Sequence, residues 1–315
     1  MSVQRVVQRR SALRRRLGRA TEHGDRLFNT VVVTSVFLIL GLVAAIGYEL
    51  WSNSALSRAV YGLRFLWSTT WDPVAREFGA LPFILGTLQT SILALILALP
   101  ISLGVAIFLA EVAPEWVRLP LGFLVELLAA VPSVVYGLWG LYVLVPTLVR
   151  PLSSTLANNL GFFPLFAGPT YGPSRLAAAL VLSVMIIPTI SAVSRDVFLA
   201  IPRSQREASL ALGATQWETI WRVLVPYGLS GILGAVILGL GRALGETMAV
   251  TMVLDPGYTM ASIIVNEFTE ATYDLYLHAL IEIGLVLFGL TLILNLFARL
   301  LVWSVARRVP QEARA

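Results

Sequence analysis

Apolar residues dominate six long runs of the chain, at about 28–50, 81–110, 119–149, 175–195, 223–253 and 277–303. Each is long enough to cross a bilayer as a helix, which takes roughly 20 residues. Polar residues collect between the runs, and they are unevenly sorted. Arginines cluster at 1–27 and 196–222, whereas 51–80, 150–174 and 254–276 hold Trp, Pro, Gly, Asn and acidic residues. Arg-rich loops stay in the cytoplasm. The pattern therefore predicts an all-α polytopic membrane protein with six transmembrane helices and cytoplasmic N- and C-termini. The stretches 51–80, 150–174 and 254–276 then lie outside, although Arg58, Arg64 and Arg76 run against the charge bias.

Residues 1–27 read as a basic cytoplasmic tail that marks topology and touches anionic lipid, and 306–315 as a second tail. Nothing aromatic or motif-like in the first tail supports binding of nucleic acid. The run 28–50 exceeds the roughly 15-residue limit of a signal-peptide core, so it reads as a retained span. Trp51, Trp67 and Trp71 fit an interfacial belt, and Asp72-Pro73 a turn. In the second span, Gln89, Thr87, Thr90 and Ser91 either face a pathway or bond between helices. In the third, Pro132-Ser133 predicts a kink, and Gly137 and Gly140 permit close packing. Glu126 is assigned to the inner interface, the other option being a pair with an Arg on another helix. Asp255, Pro256 and Gly257 turn the chain after span five. His278 and Glu282 read as an interfacial pair and Asn295 as an interhelical hydrogen bond. Glu267, Glu270 and Asp274 read as an acidic, solvated loop.

Composition removes several kinds of chemistry. The chain of 315 residues has no Cys and two His, so thiol catalysis and His- or Cys-rich metal centres are excluded. All 23 basic residues are Arg. A nucleotide-binding P-loop requires Lys, so any ATP-driven step belongs to another chain.

The stretch Ser204–Met248 carries the candidate chemistry. Ala208 to Leu212 predict a short helix ended by Gly213, which accepts the left-handed C-terminal position. Thr215 with Glu218 predicts a capping box that opens a second amphipathic helix through Trp217, Ile220, Trp221 and Leu224. Two such helices make a knob suited to a partner's groove. Beyond them, Arg242 and Glu246 fall one helical turn apart inside an apolar run, with Gly241 and Gly245 beside them as a small-residue face open to another helix. Charges so placed are expensive and mark a substrate path by default. An Arg fork suits a tetrahedral oxyanion, a nearby Glu would hold the Arg at rest, and Thr247 and Thr251 add hydroxyls. A purely structural ion pair is the other reading, and chemistry alone leaves both open.

The segment Glu207-Ala208-Ser209, Gly213, Val223 and Val225-Pro226 resembles the EAA loop of ABC-importer permeases, E-A-A, three residues, G, nine residues, I-x-L-P. Ser209, Val223 and Val225 depart from it conservatively and the spacing is kept. LLAAVPSVVYGLWGLYVLVP (127–146) and GLGRALGETMAV (239–250) are similar to permease subunits of bacterial phosphate importers, most of all to the PstC type. The likeness covers most of 28–305. It implies the MetI-like architecture of type I ABC importers, with 28–305 as the permease domain in the bacterial inner membrane. It implies that the loop 203–222, with Glu207, Ala208, Gly213 and Pro226, couples to an ATPase, and that Arg242 and Glu246 act in transport, with Thr247 beside them. The implied partners are a PstA-like second permease, an ATPase dimer that binds ATP and Mg, and an external phosphate-binding protein. This chain then carries no cofactor and performs no bond chemistry. Rival readings are the same architecture for sulfate or molybdate, a secondary transporter driven by an ion gradient, and a membrane scaffold.

Overall fold

The computed structural model describes residues 3–160, 173–254 and 259–306. Among these the structure is helical, and its one β feature is an isolated antiparallel bridge between Asp72 and Glu77. Six helical segments are long and apolar enough to cross a membrane: Phe28–Asn53, Leu81–Val112, Ser133–Thr155, Arg175–Ala200, Gln216–Leu244 and Asp274–Ser304. Helix α1 (Val3–Asn53) is a unit of its own and contains the first of these. The second unit starts at Ser54.

The centre of this second unit is the pair α4 (Leu81–Ile107) and α8 (Arg175–Ala200). Small side chains allow their approach. Thr90, Ala94, Ala98, Ser102 and Ala106 recur every fourth residue along α4 and are all buried. Ala177, Ala178 and Ala179 are buried on α8, with Ser183, Ser191 and Ser194 further along. In a bilayer, where water does not drive helices together, such faces hold by dispersion contact. Both helices run through a proline, Pro100 and Pro188.

At the predicted external end a second core gathers around α2 (Ala55–Tyr61), α3 (Arg64–Trp67), α13 (Met260–Glu267) and the start of α14 (Asp274–Ala306). Phe65, Phe78, Phe83, Met260 and Tyr276 fill it. Trp71 was expected in an interfacial belt and Glu267 in a solvated loop. Instead the Trp71 indole and the Tyr276 hydroxyl both donate to the Glu267 carboxylate. An unpaired carboxylate is costly away from water, and two donors remove that cost.

The third apolar run is not one kinked span. It forms α5 (Glu115–Ala130), then extended backbone at Val131 and Pro132, then α6 (Ser133–Trp139). Pro132 lacks the N–H that would continue the helix and restricts Val131 to extended geometry. A π-helical stretch Gly140–Val149 continues α6 into α7 (Arg150–Leu160), so the first part of the expected 150–174 loop is helical. Glu126 is paired with Arg195 of α8 at 2.9 Å, the other of the two options for it. Asn295 bonds within its own helix, to the Thr291 carbonyl, and not between helices. The expected turn at Asp255, Pro256 and Gly257 lies outside the described residues.

Candidate substrate pathway and coupling loop

The predicted coupling loop folds much as its local signals require. Helix α9 (Arg203–Ala211) ends in a turn whose Gly213 has φ +87°, a conformation that favours glycine. The Thr215 hydroxyl accepts from the Glu218 amide while the Glu218 carboxylate accepts from the Thr215 amide, the predicted capping box. From there α10 (Gln216–Thr219), a π-helical turn Ile220–Leu224 and α11 (Val225–Leu244) run on without a break. The second short helix is thus the foot of span five, which starts at Gln216 rather than 223. Ser209, the departure from the second Ala of the motif, hydrogen-bonds Thr219 at 2.9 Å and ties α9 to this foot. Glu207, Ala208 and Pro226 are exposed, Pro226 directly after the π-helical turn Ile220–Leu224 within the continuous helix. A cavity of ≈ 540 Å³ opens between α9 and the foot, lined by Ala208, Ser209, Leu212, Gly213, Glu218 and Arg222 among others. Leu212 stands 90% exposed beside it.

Arg242 and Glu246 are not on one helix face, contrary to expectation. Helix α11 ends at Leu244, and Gly245 to Thr247 separate it from α12 (Met248–Val253). The Glu246 carboxylate turns the other way, accepting from the Ala249 amide at 3.1 Å, in the first turn of α12. It satisfies one of the donors that every helix start leaves free. The Thr247 hydroxyl donates to the Gly245 carbonyl within the break, and Thr251 to the Thr247 carbonyl. No other element among the described residues lies within 4 Å of where Cβ atoms on Gly241 and Gly245 would be, so this small-residue face is left open within the chain.

Arg242 instead reaches across to two other elements. Its guanidinium donates to the Thr189 hydroxyl of α8 at 3.1 Å and to the Ala129 carbonyl at the end of α5 at 3.4 Å from each of two nitrogens. The Ala129 carbonyl lies in the last turn of α5, where a helix leaves carbonyls without helical donors, and its partial negative charge suits a cation. Tyr136, from beyond the break, donates to the neighbouring Leu128 carbonyl at 2.7 Å. Among the described residues, no carboxylate lies within ion-pair distance of Arg242. Two interrupted helices therefore meet at one arginine, and α6 and α12 pair directly beyond it. A Cβ on Gly137 would meet the Met252 sulfur at 2.8 Å and the Ala249 Cα at 3.0 Å. Thr189 and the Ala129 carbonyl were missed from the sequence, and Thr189 had a signal: a hydroxyl directly after a mid-span proline.

The family model described as "Binding-protein-dependent transport system inner membrane component" matches residues 102–309. The chain belongs to this family. Its curated relatives include the phosphate transport system permease protein PstC of Xylella fastidiosa strain Temecula1, 42% identical over 300 residues, which cover 90% of this chain and 92% of that one. The PstC protein of Pasteurella multocida is 44% identical over 289 residues, covering 87% and 90%. The PstC 2 protein of Mycobacterium tuberculosis is 39% identical over 300 residues, covering 89% and 92%. Among solved structures, the inward-facing MetNI methionine ABC transporter matches with TM-score 0.54 at 19% identity over 70% of this chain and 94% of that chain. A bacterial ABC transporter that imports the polysaccharide alginate matches with TM-score 0.52 at 18% identity over 80% and 90%. These two likenesses establish the ABC-importer permease fold, and the first is to the MetI-type architecture expected from the EAA-like loop.

Proposed function

We propose that this chain is one of two transmembrane subunits of an ATP-driven importer that carries inorganic phosphate across the bacterial cytoplasmic membrane. The relatives named as phosphate permeases, spanning about nine-tenths of the chain, support the substrate. The observation that carries the mechanism is Arg242, half-buried, bonded to a hydroxyl and at long range to a carbonyl, and, among the described residues, within ion-pair distance of no carboxylate. Bonds of 3.4 Å are at the weak end of the range. A phosphate offers charged oxygens that bind a guanidinium fork more strongly than a carbonyl does. Substrate arriving at Arg242 would draw it from Ala129 and free the ends of α5 and α11 to move.

Glu246 does not neutralise Arg242 in this reading. It fixes the start of α12, and its charge near the break discourages the anion from staying, since a path that binds too tightly stops flux. Thr247 adds a hydroxyl at the same level. The second permease, of the PstA type, would cover the exposed side of the break at Gly245 and Met248. An ATPase dimer, which binds ATP and Mg, would seat on α9 through Glu207, Ala208 and Gly213, and a phosphate-binding protein would deliver substrate outside. This chain has no catalytic role. Residues 1–27 and the loop 203–222 lie in the cytoplasm.

Uptake of labelled phosphate by the reconstituted four-component complex tests the reading, with sulfate and molybdate as competitors. Arg242→Ala is expected to abolish uptake while the complex still assembles. Full uptake by that variant would exclude the pathway role, and stronger competition by sulfate or molybdate than by phosphate would reassign the substrate.

A further inference from the structure

Helix α9 buries no side chain, so apolar packing does not fasten it to the permease. Ser209 ties it to the foot of span five through Thr219, and one residue, Arg206, fastens it to the central helices. Arg206 donates through Nε to both Glu111 oxygens at 3.0 and 3.2 Å and through Nη2 to Glu111 Oε1 at 2.6 Å. Its Nη1 donates to the Ile201 carbonyl at 2.6 Å, and Nη2 also to the Phe198 carbonyl at 2.6 Å. Glu111 sits in the π-helical turn Phe108–Val112 that ends α4, and Phe198 and Ile201 are at the end of α8. A single guanidinium therefore clamps α9 to the ends of both central helices. The pair is mostly covered, with the Arg206 and Glu111 side chains 20% and 13% exposed, and cover keeps such charges from being screened. Arg118 of α5 reinforces the same knot by donating to the Ala110 and Ala113 carbonyls. Beside it a cavity of ≈ 200 Å³, lined by Val112, Leu210, Thr219 and Leu224 among others, leaves α9 without solid packing behind.

We infer that Arg206 is the positioning residue of a rigid joint with Glu111, through which movement of α9 reaches α4 and α8. This rests on the transport reading above and specifies how its motion is transmitted. Helices α4 and α8 pack along their length through small side chains, so a displacement at their shared end is carried inward as a body. Thr189 on α8 holds Arg242, which places the anion site on the same lever. The planar fork matters because it reaches the carboxylate and the two carbonyls from three separate nitrogens in fixed geometry, whereas an ammonium has three donors on one atom.

The test uses the complete complex in liposomes with phosphate-loaded binding protein. Arg206→Gln and Glu111→Gln are expected to keep ATP hydrolysis while phosphate carried per ATP falls about tenfold. The double variant is expected to be no worse than either single one, because both break one joint. Arg206→Lys is expected to lie between, and it serves where the Gln variants do not assemble. A readout independent of phosphate is thiol labelling of Val112→Cys and Leu210→Cys in this Cys-free chain. ATP should alter the labelling rate at both positions in the parent. In the Arg206→Gln background the change should persist at 210 and vanish at 112. Normal phosphate per ATP in Arg206→Gln or Arg206→Lys, additive losses in the double variant, or a persisting response at 112 would each overturn the joint. A parent complex that neither hydrolyses ATP nor imports phosphate would overturn the transport reading instead.

Discussion

Arg242 and Glu246 show why adjacency along a chain does not settle a partner. On an unbroken helix their spacing makes them neighbours. The break at Gly245 sends the arginine back to α5 and α8 and the carboxylate forward to α12. The two substitutions should therefore differ in kind. Arg242→Lys keeps a charge but loses the second nitrogen of the fork and with it bidentate binding of an oxyanion, so uptake should fall between the parent and Arg242→Ala. Each charge-assisted bond is worth about 1.5–3 kcal/mol, so the full loss should exceed about tenfold. Glu246→Gln keeps an acceptor for the Ala249 amide, and its melting temperature in detergent should match the parent. Glu246→Ala removes a helix-start acceptor and should cost about 1 kcal/mol. If Glu246→Gln unfolds as readily as Glu246→Ala, the capping assignment fails. The position of Arg242 inside an apolar run was legible from the sequence, but its partners were not. A carbonyl carries no residue-type signal, and α5 is distant in sequence.

At the scale of elements, glycines separate the contacts within this chain from a face left open. Gly140 faces Val181, whose Cγ2 would lie 2.5 Å from an added Cβ. Valine in a helix has one strongly preferred rotamer and cannot turn away. Gly140→Ala should lower the stability of the isolated subunit by roughly 1–3 kcal/mol, the usual cost of overpacking. Gly241→Ala meets nothing within 4 Å and should leave that stability unchanged or slightly raised, because Ala is the better helix former. Any effect of Gly241→Ala should appear only in co-purification with the second permease, which measures the open face. Gly213→Ala should strain the turn after α9, where φ is +87°, by about 1 kcal/mol. ATPase recruitment then weakens while the melting temperature of the membrane core stays put. Element types were readable because 3.6-residue patterning, capping pairs and prolines act over a few residues. The every-fourth-residue stripe on α4 was also present in the sequence, but its partner α8 was visible only in the fold.

For the whole molecule, the arginine bias sets which end lies inside, and two exposed positions test it. Val74, at the turn between Asp72 and Glu77, is 94% exposed, and Leu212, beside Gly213, is 90% exposed. The chain contains no cysteine, so single thiols at these sites report without background. A membrane-impermeant maleimide should label Val74→Cys in intact cells and Leu212→Cys only after permeabilisation. The reverse pattern would invert the topology. The expected bounds of spans one, two, four and six lie within a few residues of long apolar helices. The polar-to-apolar alternation failed at 119–149, which breaks at Pro132, at the loop 150–174, whose start is helical, and at span five, whose amphipathic foot adjoins the apolar helix without a polar gap and whose other end stops at Leu244 before a break.

Composition and periodicity by themselves determined the all-α membrane class, the number of spans, the helix starting at Arg203 with its Gly213 turn, the capping box at Thr215 and Glu218, and the arginine around which the candidate site is built. These depend on local chemistry and on a bilayer that demands satisfied backbone and apolar surface. Only the tertiary structure decided that spans three and five are interrupted, that Arg242 bridges α5 and α8, and that Arg206 joins α9 to both central helices. Those facts depend on helix ends brought together from distant parts of the chain, and on backbone carbonyls whose availability follows from where each helix stops.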